Sequence, residues 1–397
     1  MYDLIQFRYS VFMPSLLIPA LTALSGGLFF RDYKRRRLQS PEDRYMALYG
    51  YDDWGSNNMD MRVHFDPKLD DQVKDYWKCR LENRLPLEDS ILSEVAQVEG
   101  KELVFHKVPT TLEDLLKPRQ GIWFDLSQPG LIHIIWNHLQ VDGVGLWREL
   151  REVYDENPPL IPYRTVSAPP PIVPEIIGIP QMAKSATMRG SLHKGIDIET
   201  GVEQHFTMWD GTKIRTFKNQ CSEAFGQTAP FNLVTAAIVA DRIFSRHPAV
   251  KKLNLGLTVY FPFLESRNKY GVQMRTVKRD TLQGLVKQLM KKQASPVATW
   301  GAAAAQGYAL NRVPNKWFMN LMQYFRKQID VLIANVPVGQ IPVTVGEKPV
   351  QVSCHTRELS LPYYVLLMGT RGEVHTSMTT RYKQDDHTRM MELPNLA

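Results

Sequence analysis

The sequence predicts an α/β protein built on mixed sheets. From residue 40 onward, stretches with the two-residue period of a strand alternate with stretches of helical period. Hydrophobic residues make up 44% of the chain and charged residues 22%, which is typical of a packed core. A length of 397 residues suffices for two domains, and a proline-rich stretch lies between two such alternating regions. We therefore expect two α/β halves joined by a linker.

The first predicted half spans residues 39–157. Asn58 to Asp66 alternates apolar and polar side chains, as a half-buried strand does. Pro67 to Leu85 has the four-residue spacing of apolar side chains that indicates a helix. The remaining elements predicted here are strands at Glu102 to Val108 and Leu131 to Trp136, and a helix at Trp147 to Tyr154.

The predicted linker spans residues 158–186. Eight prolines fall between Pro158 and Pro180. Proline fixes the backbone angle φ and lacks an N–H donor, so this stretch excludes regular helix and central strand. It favours extended, semi-rigid chain that crosses from one half to the other or follows a surface groove.

The second predicted half spans residues 187–397 and repeats the α/β pattern. The predicted strands are Val202 to Trp209, Thr212 to Asn219, Asn254 to Phe261, Val331 to Val336, Val350 to Cys354, Tyr363 to Met368 and Glu373 to Met378. The predicted helices are Ala229 to Ser245, the basic amphipathic Asp280 to Gln293, and Trp317 to Ile329. No internal sequence repeat is visible, although two halves can share a fold without one.

Charge and cysteine content narrow the class of ligand. The net charge of +7 suits nucleic acid, anionic lipid or a phosphorylated small molecule such as coenzyme A. The basic residues are not interleaved with aromatic residues in a stripe, so we expect no nucleic-acid partner. The three cysteines have no metal-ligand spacing, which indicates a reducing compartment and no metal site.

Residues 1–38 form a separate apolar N-terminal segment with a basic flank. Residues 11–30 contain no charged side chain and are long enough, as a helix, to cross a bilayer core. The basic residues 31–37 follow directly, which predicts a membrane-associated protein whose catalytic part is cytoplasmic and argues against a cleaved signal peptide. Prolines and a Gly-Gly pair weaken a straight helix. A hairpin, an interfacial helix, or burial against the catalytic domain therefore stay open beside a true span.

One hexapeptide carries most of the functional information. His138-Leu139-Gln140-Val141-Asp142-Gly143 has the form H-x-x-x-D-G and lies between a predicted strand and a predicted helix. A histidine at such a strand end can face a cavity while its backbone is held rigidly. Alone, the pattern favours a core or turn histidine beside an Asp-Gly turn, but the strand–turn–helix context and the rest of the chain favour a general base.

The chemistry of this motif favours direct proton abstraction. A neutral imidazole is available near pH 7, and no G-x-S-x-G nucleophile elbow is present. His138 would then deprotonate an acceptor hydroxyl or amine that attacks a thioester, without a covalent acyl-enzyme. Asp142 either orients His138 or holds the turn against a cationic partner, and Gly143 permits the backbone conformation and leaves room for substrate. The sequence identifies no oxyanion donor.

These motifs resemble those of the coenzyme A-dependent acyltransferase superfamily. That group includes chloramphenicol acetyltransferase-like enzymes, condensation domains of peptide synthetases, and wax ester synthase/diacylglycerol acyltransferases. His138 falls on the catalytic histidine of the family, and Asp142 and Gly143 fall on its structural pair. The resemblance spans about residues 38 to 385, and its other matching segments are residues 40–43, 232–237, 259–262 with Arg267 and Gly271, and 334–339.

The resemblance implies two chloramphenicol acetyltransferase-like domains that flank a central substrate channel. It implies Arg267 as the partner of Asp142, and Asn335, Pro337 and Gly339 as residues that line the channel. It also implies a coenzyme A thioester as co-substrate, with no bound cofactor. The chain departs from the family at Asn137, where many relatives have the first of two histidines, and at residues 334–339, where relatives have Ser-Asn-Val-Pro-Gly-Pro.

Three functions follow as hypotheses. The first is an O-acyltransferase of lipid metabolism that moves an acyl group from acyl-CoA to a hydroxyl, or an amine, of a hydrophobic acceptor near a membrane. The second is a condensation-like enzyme that takes its acyl group from a separate carrier protein. The surface that would dock this carrier, or the phosphates of coenzyme A, is otherwise an ordinary solvated helix face and comprises Lys278, Arg279, Lys287, Lys291 and Lys292. The third is a non-catalytic binding protein that kept the fold, a reading motivated by Asn137.

Overall fold

The computed structural model describes most of the second predicted half and part of the first, but not the N-terminal segment or the linker. The described residues are 58–84, 96–98, 122–137, 146, 150, 188–193, 202–260, 270–291, 324, 327–337, 343–356, 361–369, 372–382 and 391–396. All of them belong to one unit, residues 44–397. The strand predicted at 102–108 lies outside the described residues, and the helix predicted at 147–154 is described only at Leu150. The helix predicted at 317–329 is described at Tyr324 and at 327–329, and the last three residues are not helical.

Thirteen strands occur in this part of the chain. They are β1 Asn58–His64, β2 Ala96–Val98, β3 Ile122–Asp125, β4 Leu131–Asn137, β5 Glu203–Asp210, β6 Lys252–Tyr260, β7 Tyr270–Lys278, β8 Val331–Pro337, β9 Thr344–Val345, β10 Lys348–Pro349, β11 Gln351–Thr356, β12 Tyr363–Gly369 and β13 Glu373–Thr380. The described α-helices are α1 Asp70–Arg84, α2 Gly211–Phe225, α3 Phe231–Arg246 and α4 Leu282–Lys291. A turn of 3-10 helix at Pro67–Leu69 precedes α1, capped by the side chain of Asp66.

The first sheet has five strands in the order β11-β1-β4-β3-β2. β1 is antiparallel to both of its neighbours, β4 and β11, whereas β2 is parallel to β3. β11 follows β8 in the chain but pairs with β1 over its whole length, from Met59 opposite Thr356 to His64 opposite Gln351. A strand from the C-terminal part of the sequence thus completes the sheet that carries the H-x-x-x-D-G strand.

The second sheet has six strands in the order β5-β13-β12-β8-β6-β7. β8 is parallel to both β12 and β6, and the outer pairs are antiparallel. β12 is buried at Tyr363–Met368 because it lies inside the sheet with both faces covered. Both sheets are therefore mixed, and the predicted α/β class is confirmed.

Two apolar cores hold these layers together. The first joins β1, β4 and β11 to α1 through Trp77, and it takes in one face of β8 and β12. The second lies between the other face of the six-stranded sheet and helices α2, α3 and α4. The alternation along β8 shows the division, since Val331 and Ile333 belong to the second core and Ala334 and Val336 to the first.

One predicted element has the wrong type. Residues 212–219 were expected as a strand, but they lie in α2. The carboxylate of Asp210 accepts hydrogen bonds from the N–H groups of Thr212 and Lys213, which fixes the helix start. Gly226 ends the helix in the left-handed conformation, at φ 64°. The buried side chains of α2 follow the three- and four-residue spacing of a helix, which short polar intervals had hidden in the sequence.

No described helix combines the length and the hydropathy that crossing a bilayer requires. Residues 11–30, for which membrane contact was predicted, lie outside the described residues.

Candidate functional site

The H-x-x-x-D-G motif begins where a central strand of the first sheet ends. β4 runs to Asn137, which pairs with Asn58 of β1, and His138 is the next residue in the chain. The strand predicted before the motif is therefore confirmed. Five of the predicted site residues lie outside the described residues, namely His138, Asp142, Gly143, Arg267 and Gly339. Their proximity and roles stay predictions.

The predicted channel segment is the end of β8. Asn335 lies in this strand, and its Nδ2 donates a hydrogen bond to Oγ1 of Thr235 in α3 at 3.2 Å. The backbone N–H of Asn335 also contacts Oγ1 of Thr258 in β6 at 3.4 Å. Pro337 is the last residue of β8 and lies opposite Gly369 of β12. These contacts fix the backbone of the segment between α3 and two neighbouring strands.

A buried charged cluster lies two residue pairs from the end of β4. Asp60 of β1 is 2% exposed, and its Oδ1 lies 3.0 Å from Nε2 of His133 on β4. The guanidinium of Arg62 binds the same carboxylate through Nε and Nη2, at 3.1 and 2.9 Å. Burial alone would raise the pKa of Asp60, but His133 and Arg62 lower it below its ordinary value. Asp60 is thus held as a carboxylate inside the protein.

Arg62 also connects the two sheets. Its Nη2 donates to Oε1 of Gln204 on β5 at 2.7 Å. The Nε2 of Gln204 contacts the backbone oxygen of Thr356 on β11 at 3.3 Å. Arg62 therefore connects β1 of the first sheet to β5 of the second. Gln204 of β5 in turn contacts β11, which also belongs to the first sheet.

Hydrogen bonds from the backbone of β11 to side chains of β13 hold β11 in the same interface. Nδ1 of His375 accepts from the backbone N–H of Val352 at 3.0 Å, and Oγ of Ser377 accepts from that of Cys354 at 2.8 Å. His375 is therefore neutral at Nδ1, in agreement with the direction of its pKa, which burial lowers. The polar side chains of β13 replace the strand partner that β11 lacks on its outer edge.

Other histidines in this interface are also held neutral by burial. Burial lowers the pKa of His64, and Arg62 adds to the effect. Burial lowers the pKa of His355, which is 2% exposed, to about 4. The ring of His64 stacks on Phe206 of β5 at 5.8 Å between centroids. Besides the Asp60–Arg62 ion pair, the described part of this interface therefore carries neutral imidazoles at His64, His355 and His375, and it suits a structural more than an acid–base role.

The sequence of β1 contains a local signal for this cluster. Asp60, Arg62 and His64 occupy alternate positions of an otherwise apolar strand, which places all three on one face. The contact with His133 depends on the register of β1 against β4, which no local pattern shows.

The residues of the basic surface predicted to dock a carrier protein differ in their contacts. Arg279 donates to the backbone oxygens of Phe244, His247 and Val250 and thus caps the end of α3. Lys278, Lys287 and Lys291 are exposed, and Lys292 lies outside the described residues. Within the residues that the structure covers, no group of three side chains is arranged to hold a metal ion.

Comparison with known proteins connects this architecture to solved structures alone. No protein-family model matches the sequence, and no curated protein matches it. F. graminearum TRI101, solved with coenzyme A and deoxynivalenol, matches with a TM-score of 0.51 and 10% identity over 85% of this chain and 94% of that one. The first condensation domain of the CDA synthetase matches with a TM-score of 0.48 and 10% identity, over 89% of this chain and 92% of that one.

The wax ester synthase/diacylglycerol acyltransferase from Marinobacter aquaeolei VT8 matches with a TM-score of 0.43 and 13% identity, over 90% of this chain and 95% of that one. At such identities a likeness concerns the fold alone, and of these three matches we use that to TRI101 as support for it. The chain therefore has the chloramphenicol acetyltransferase-like fold that its motifs predicted.

Proposed function

We propose that this protein is an acyltransferase that moves an acyl group from a coenzyme A thioester to the hydroxyl group of a hydrophobic acceptor. The observation that supports this most is the coincidence of fold and motif. The chain shares its fold with TRI101, which was solved with coenzyme A. Its H-x-x-x-D-G motif starts directly after β4, a strand paired on both sides in the first sheet.

In the proposed mechanism His138 is the general base. Its neutral imidazole takes the proton from the acceptor hydroxyl while the hydroxyl oxygen attacks the thioester carbonyl. The tetrahedral intermediate then collapses, the carbon–sulfur bond breaks, and the leaving thiolate takes the proton back from His138. Coenzyme A thereby leaves as the thiol, the product is an ester, and no acyl group is attached to the protein.

Several further residues position the base, the acceptor or the channel wall in this proposal. Asp142 and Arg267 form an ion pair that holds the turn after His138, and Gly143 leaves room for the substrate. Asn137 stands where many members of the acyltransferase superfamily have a histidine and supports the acceptor side. Asn335, Pro337 and Gly339 form part of the channel wall, and the hydrogen bond from Asn335 to Thr235 supports a fixed wall at that point.

Product analysis tests this function directly. Purified protein is incubated with a mixed pool of acyl-CoA thioesters and membrane lipids, and the products are identified by mass spectrometry. We expect esters that appear together with free thiol. Because general-base catalysis contributes about 10²–10⁴-fold, His138→Ala should lower kcat by a factor in that range. His193→Ala is the control, since Nε2 of His193 donates to the backbone oxygen of Ile329 and the residue has no proposed catalytic role.

A protein that never consumes a thioester with any acceptor, or a His138→Ala variant with unchanged turnover, would overturn the proposal. In the first case the remaining hypothesis is a binding protein that kept the fold. The binding-protein hypothesis predicts that the channel still binds acyl-CoA but does not turn it over.

The donor has a second candidate, an acyl group on a separate carrier protein. The exposed lysines Lys278, Lys287 and Lys291 favour it, because an acidic partner would meet their charges. Turnover with acyl-CoA and with acyl-carrier protein is compared in wild type and in Lys287→Glu. If Lys287→Glu lowers turnover with the carrier-linked donor only, the carrier protein is the donor. If the wild type turns over free acyl-CoA at the same rate as acyl-carrier protein, this candidate is excluded.

Membrane association through residues 11–30, with the catalytic part in the cytoplasm, is part of the same proposal. Flotation of the full chain with lipid vesicles tests it, and deletion of residues 11–30 should abolish flotation. Unchanged flotation of the deletion variant would contradict a role for this segment.

A further inference from the structure

Strand β7 carries two polar side chains on a face where the neighbouring strand is apolar. Arg275 lies opposite Leu255 of β6, and Gln273 lies opposite Leu257. Directly opposite residues of antiparallel strands share a face of the sheet. Both leucines belong to the core under α3 and α4. Arg275 and Gln273 therefore lie on the helix-covered face of the second sheet.

Both polar side chains are buried at this position. Arg275 and Gln273 are each 6% exposed. Nε and Nη2 of Arg275 donate to Oε1 of Gln273, at 3.0 and 2.6 Å. The guanidinium is thus held in one orientation by a neutral amide, two residues away on the same strand.

Among the described residues, no acid balances the charge of Arg275. No carboxylate among the described residues makes an ion pair with it. Burial lowers its pKa to about 10, and no charged neighbour contributes to this direction. The side chain is therefore still a cation near pH 7. A buried cation without an anion is unfavourable, so the site favours any anion that reaches it.

The orientation leaves one edge of the guanidinium available. A guanidinium has five N–H donors in one plane, and Gln273 takes one from Nε and one from Nη2. The two N–H groups of Nη1 and the second of Nη2 make no hydrogen bond within the described part of the chain. Nη1 is also not among the buried polar atoms that lack a partner, so solvent reaches it. This edge has the spacing that binds two oxygens of a carboxylate or a phosphate.

We propose that Arg275, oriented by Gln273, is an anion-binding site that receives a pair of negatively charged oxygens from a small-molecule ligand. Carboxylate and phosphate share this chemistry, and the probes below separate them. The site does not depend on the proposed transferase activity, because Arg275 is oriented by Gln273 of the same strand and the ligand is bound without turnover.

Binding of simple anions tests the site in the full chain. Thermal unfolding and isothermal titration are measured with inorganic phosphate and with acetate, at constant ionic strength set by potassium chloride. We expect one of the two anions to raise the Tm and to bind saturably, which identifies the group. Arg275→Met should abolish this response, and Arg275→Lys should weaken binding at least tenfold because a lysine ammonium lacks the two-donor edge.

Two controls keep the interpretation specific. Arg215→Met removes a positive charge from α2, outside the site, and should leave anion binding unchanged. If Arg275→Met does not fold, Gln273→Met retains the charge but releases its orientation, and it should weaken anion binding. Competition by free coenzyme A would assign the anion to the acyl donor, whereas its absence would assign it to another ligand.

The proposal is overturned if neither anion binds saturably to the wild type, or if Arg275→Met binds it as the wild type does. It is also overturned if Arg275→Met raises the Tm and no anion adds to the Tm of the wild type. Arg275 would then be only an unpaired buried charge. All readouts are equilibrium measurements, so they hold in His138→Ala as well, and a failure of the proposed catalysis leaves them unchanged.

Discussion

At the scale of single residues, Asp330 shows how one carboxylate organises the start of the central parallel strand β8. Its Oδ1 accepts from the N–H groups of Ser191 and Leu192, at 2.6 and 2.7 Å. Its Oδ2 accepts from the N–H of Asn254 in β6 at 2.8 Å. Burial raises the pKa of Asp330, and these three donors oppose that rise. The carboxylate thus replaces backbone partners for two separate segments of chain.

Asp330→Ala should therefore be severely destabilising. It leaves three backbone donors without their partner in a buried site, so we expect the free energy of unfolding to fall by about 3–5 kcal/mol. Urea denaturation followed by circular dichroism measures the change. Asp75→Ala, at an exposed position of α1, is the control and should change stability by less than about 0.5 kcal/mol. A similarly small effect of Asp330→Ala would contradict the role given to this carboxylate.

His355 makes stability depend on pH in a defined window. Its pKa is about 4 in the folded protein, against 6.5 for an unperturbed histidine. Below pH 6.5 the unfolded chain takes up a proton that the folded chain refuses, so the stabilisation is complete above 6.5 and lost as pH falls toward 4. This shift corresponds to about 3 kcal/mol at most. Burial also lowers the pKa of His64 and His375, so these histidines affect stability with the same sign.

We expect His355→Gln to flatten this dependence. Free energies of unfolding are measured by urea denaturation at several pH values between 7 and 4. The wild type should lose stability over this range more steeply than the variant. Gln351→Ala, an exposed change on the same strand, should leave the slope as in wild type. Equal slopes in wild type and His355→Gln would show that this histidine does not titrate as inferred.

At the scale of elements, two glycines with positive φ allow the cost of backbone strain to be distinguished from the cost of a steric clash. Gly130 has φ +71°, and a Cβ there would lie 2.9 Å from the backbone oxygen of Phe65. Gly226 has φ +64° at the end of α2, and a Cβ there would meet nothing within 4 Å. Both positions disfavour an L side chain, but Gly130 alone also lacks space for one.

Gly226→Ala should cost about 1 kcal/mol from the left-handed conformation alone. Gly130→Ala should cost about 1–3 kcal/mol more, because the backbone of the turn before β4 must also move. Thermal and urea denaturation of the two variants measure the difference. Equal costs would mean that the turn at Gly130 adjusts freely.

Sequence patterns predicted elements well where burial follows one simple period. β1, β4, β12 and β13 were predicted within two residues, because their apolar residues either alternate or run without interruption. β7 was not predicted, since its inward positions hold Gln273 and Arg275, polar residues in places where a strand pattern has apolar ones. Short strands such as β2 and β9 offer too few residues to show any period.

The candidate site was predictable to the same extent. The strand before His138 could be predicted because it is apolar and ends at the motif. The Asp60–His133 contact and the inter-sheet bond from Arg62 to Gln204 could not, since each requires the register of one strand on another. The predicted partner of Asp142, Arg267, came from a family resemblance, because nothing in local spacing connects residues that far apart in the chain.

At the scale of the whole molecule, β11 makes the two sheets dependent on each other. It pairs with β1 in the first sheet, and its backbone N–H groups donate hydrogen bonds to His375 and Ser377 of the second. We therefore expect the described sheets to unfold in one cooperative step rather than one sheet at a time.

Val352→Ala tests this dependence. Val352 is fully buried opposite Val63, and the loss of two methyl groups should cost about 1–3 kcal/mol. Hydrogen exchange measured by mass spectrometry should then accelerate by similar factors in peptides from β4 and from β12. Gln351→Ala should accelerate neither. Acceleration confined to the first sheet would show that the sheets open separately.

The position of β11 also affects how the protein is made on the ribosome. β1 is synthesised nearly 290 residues before its partner, since residue 58 leaves the ribosome long before residue 351 is added. Through that time one edge of β1 and the apolar side chains Met61 and Val63 lack the strand that covers them. Exposed strand edges of this kind favour pairing with other chains. A nascent chain of this protein is therefore a natural client for chaperones, and truncated chains that end before residue 351 should aggregate where the full chain does not.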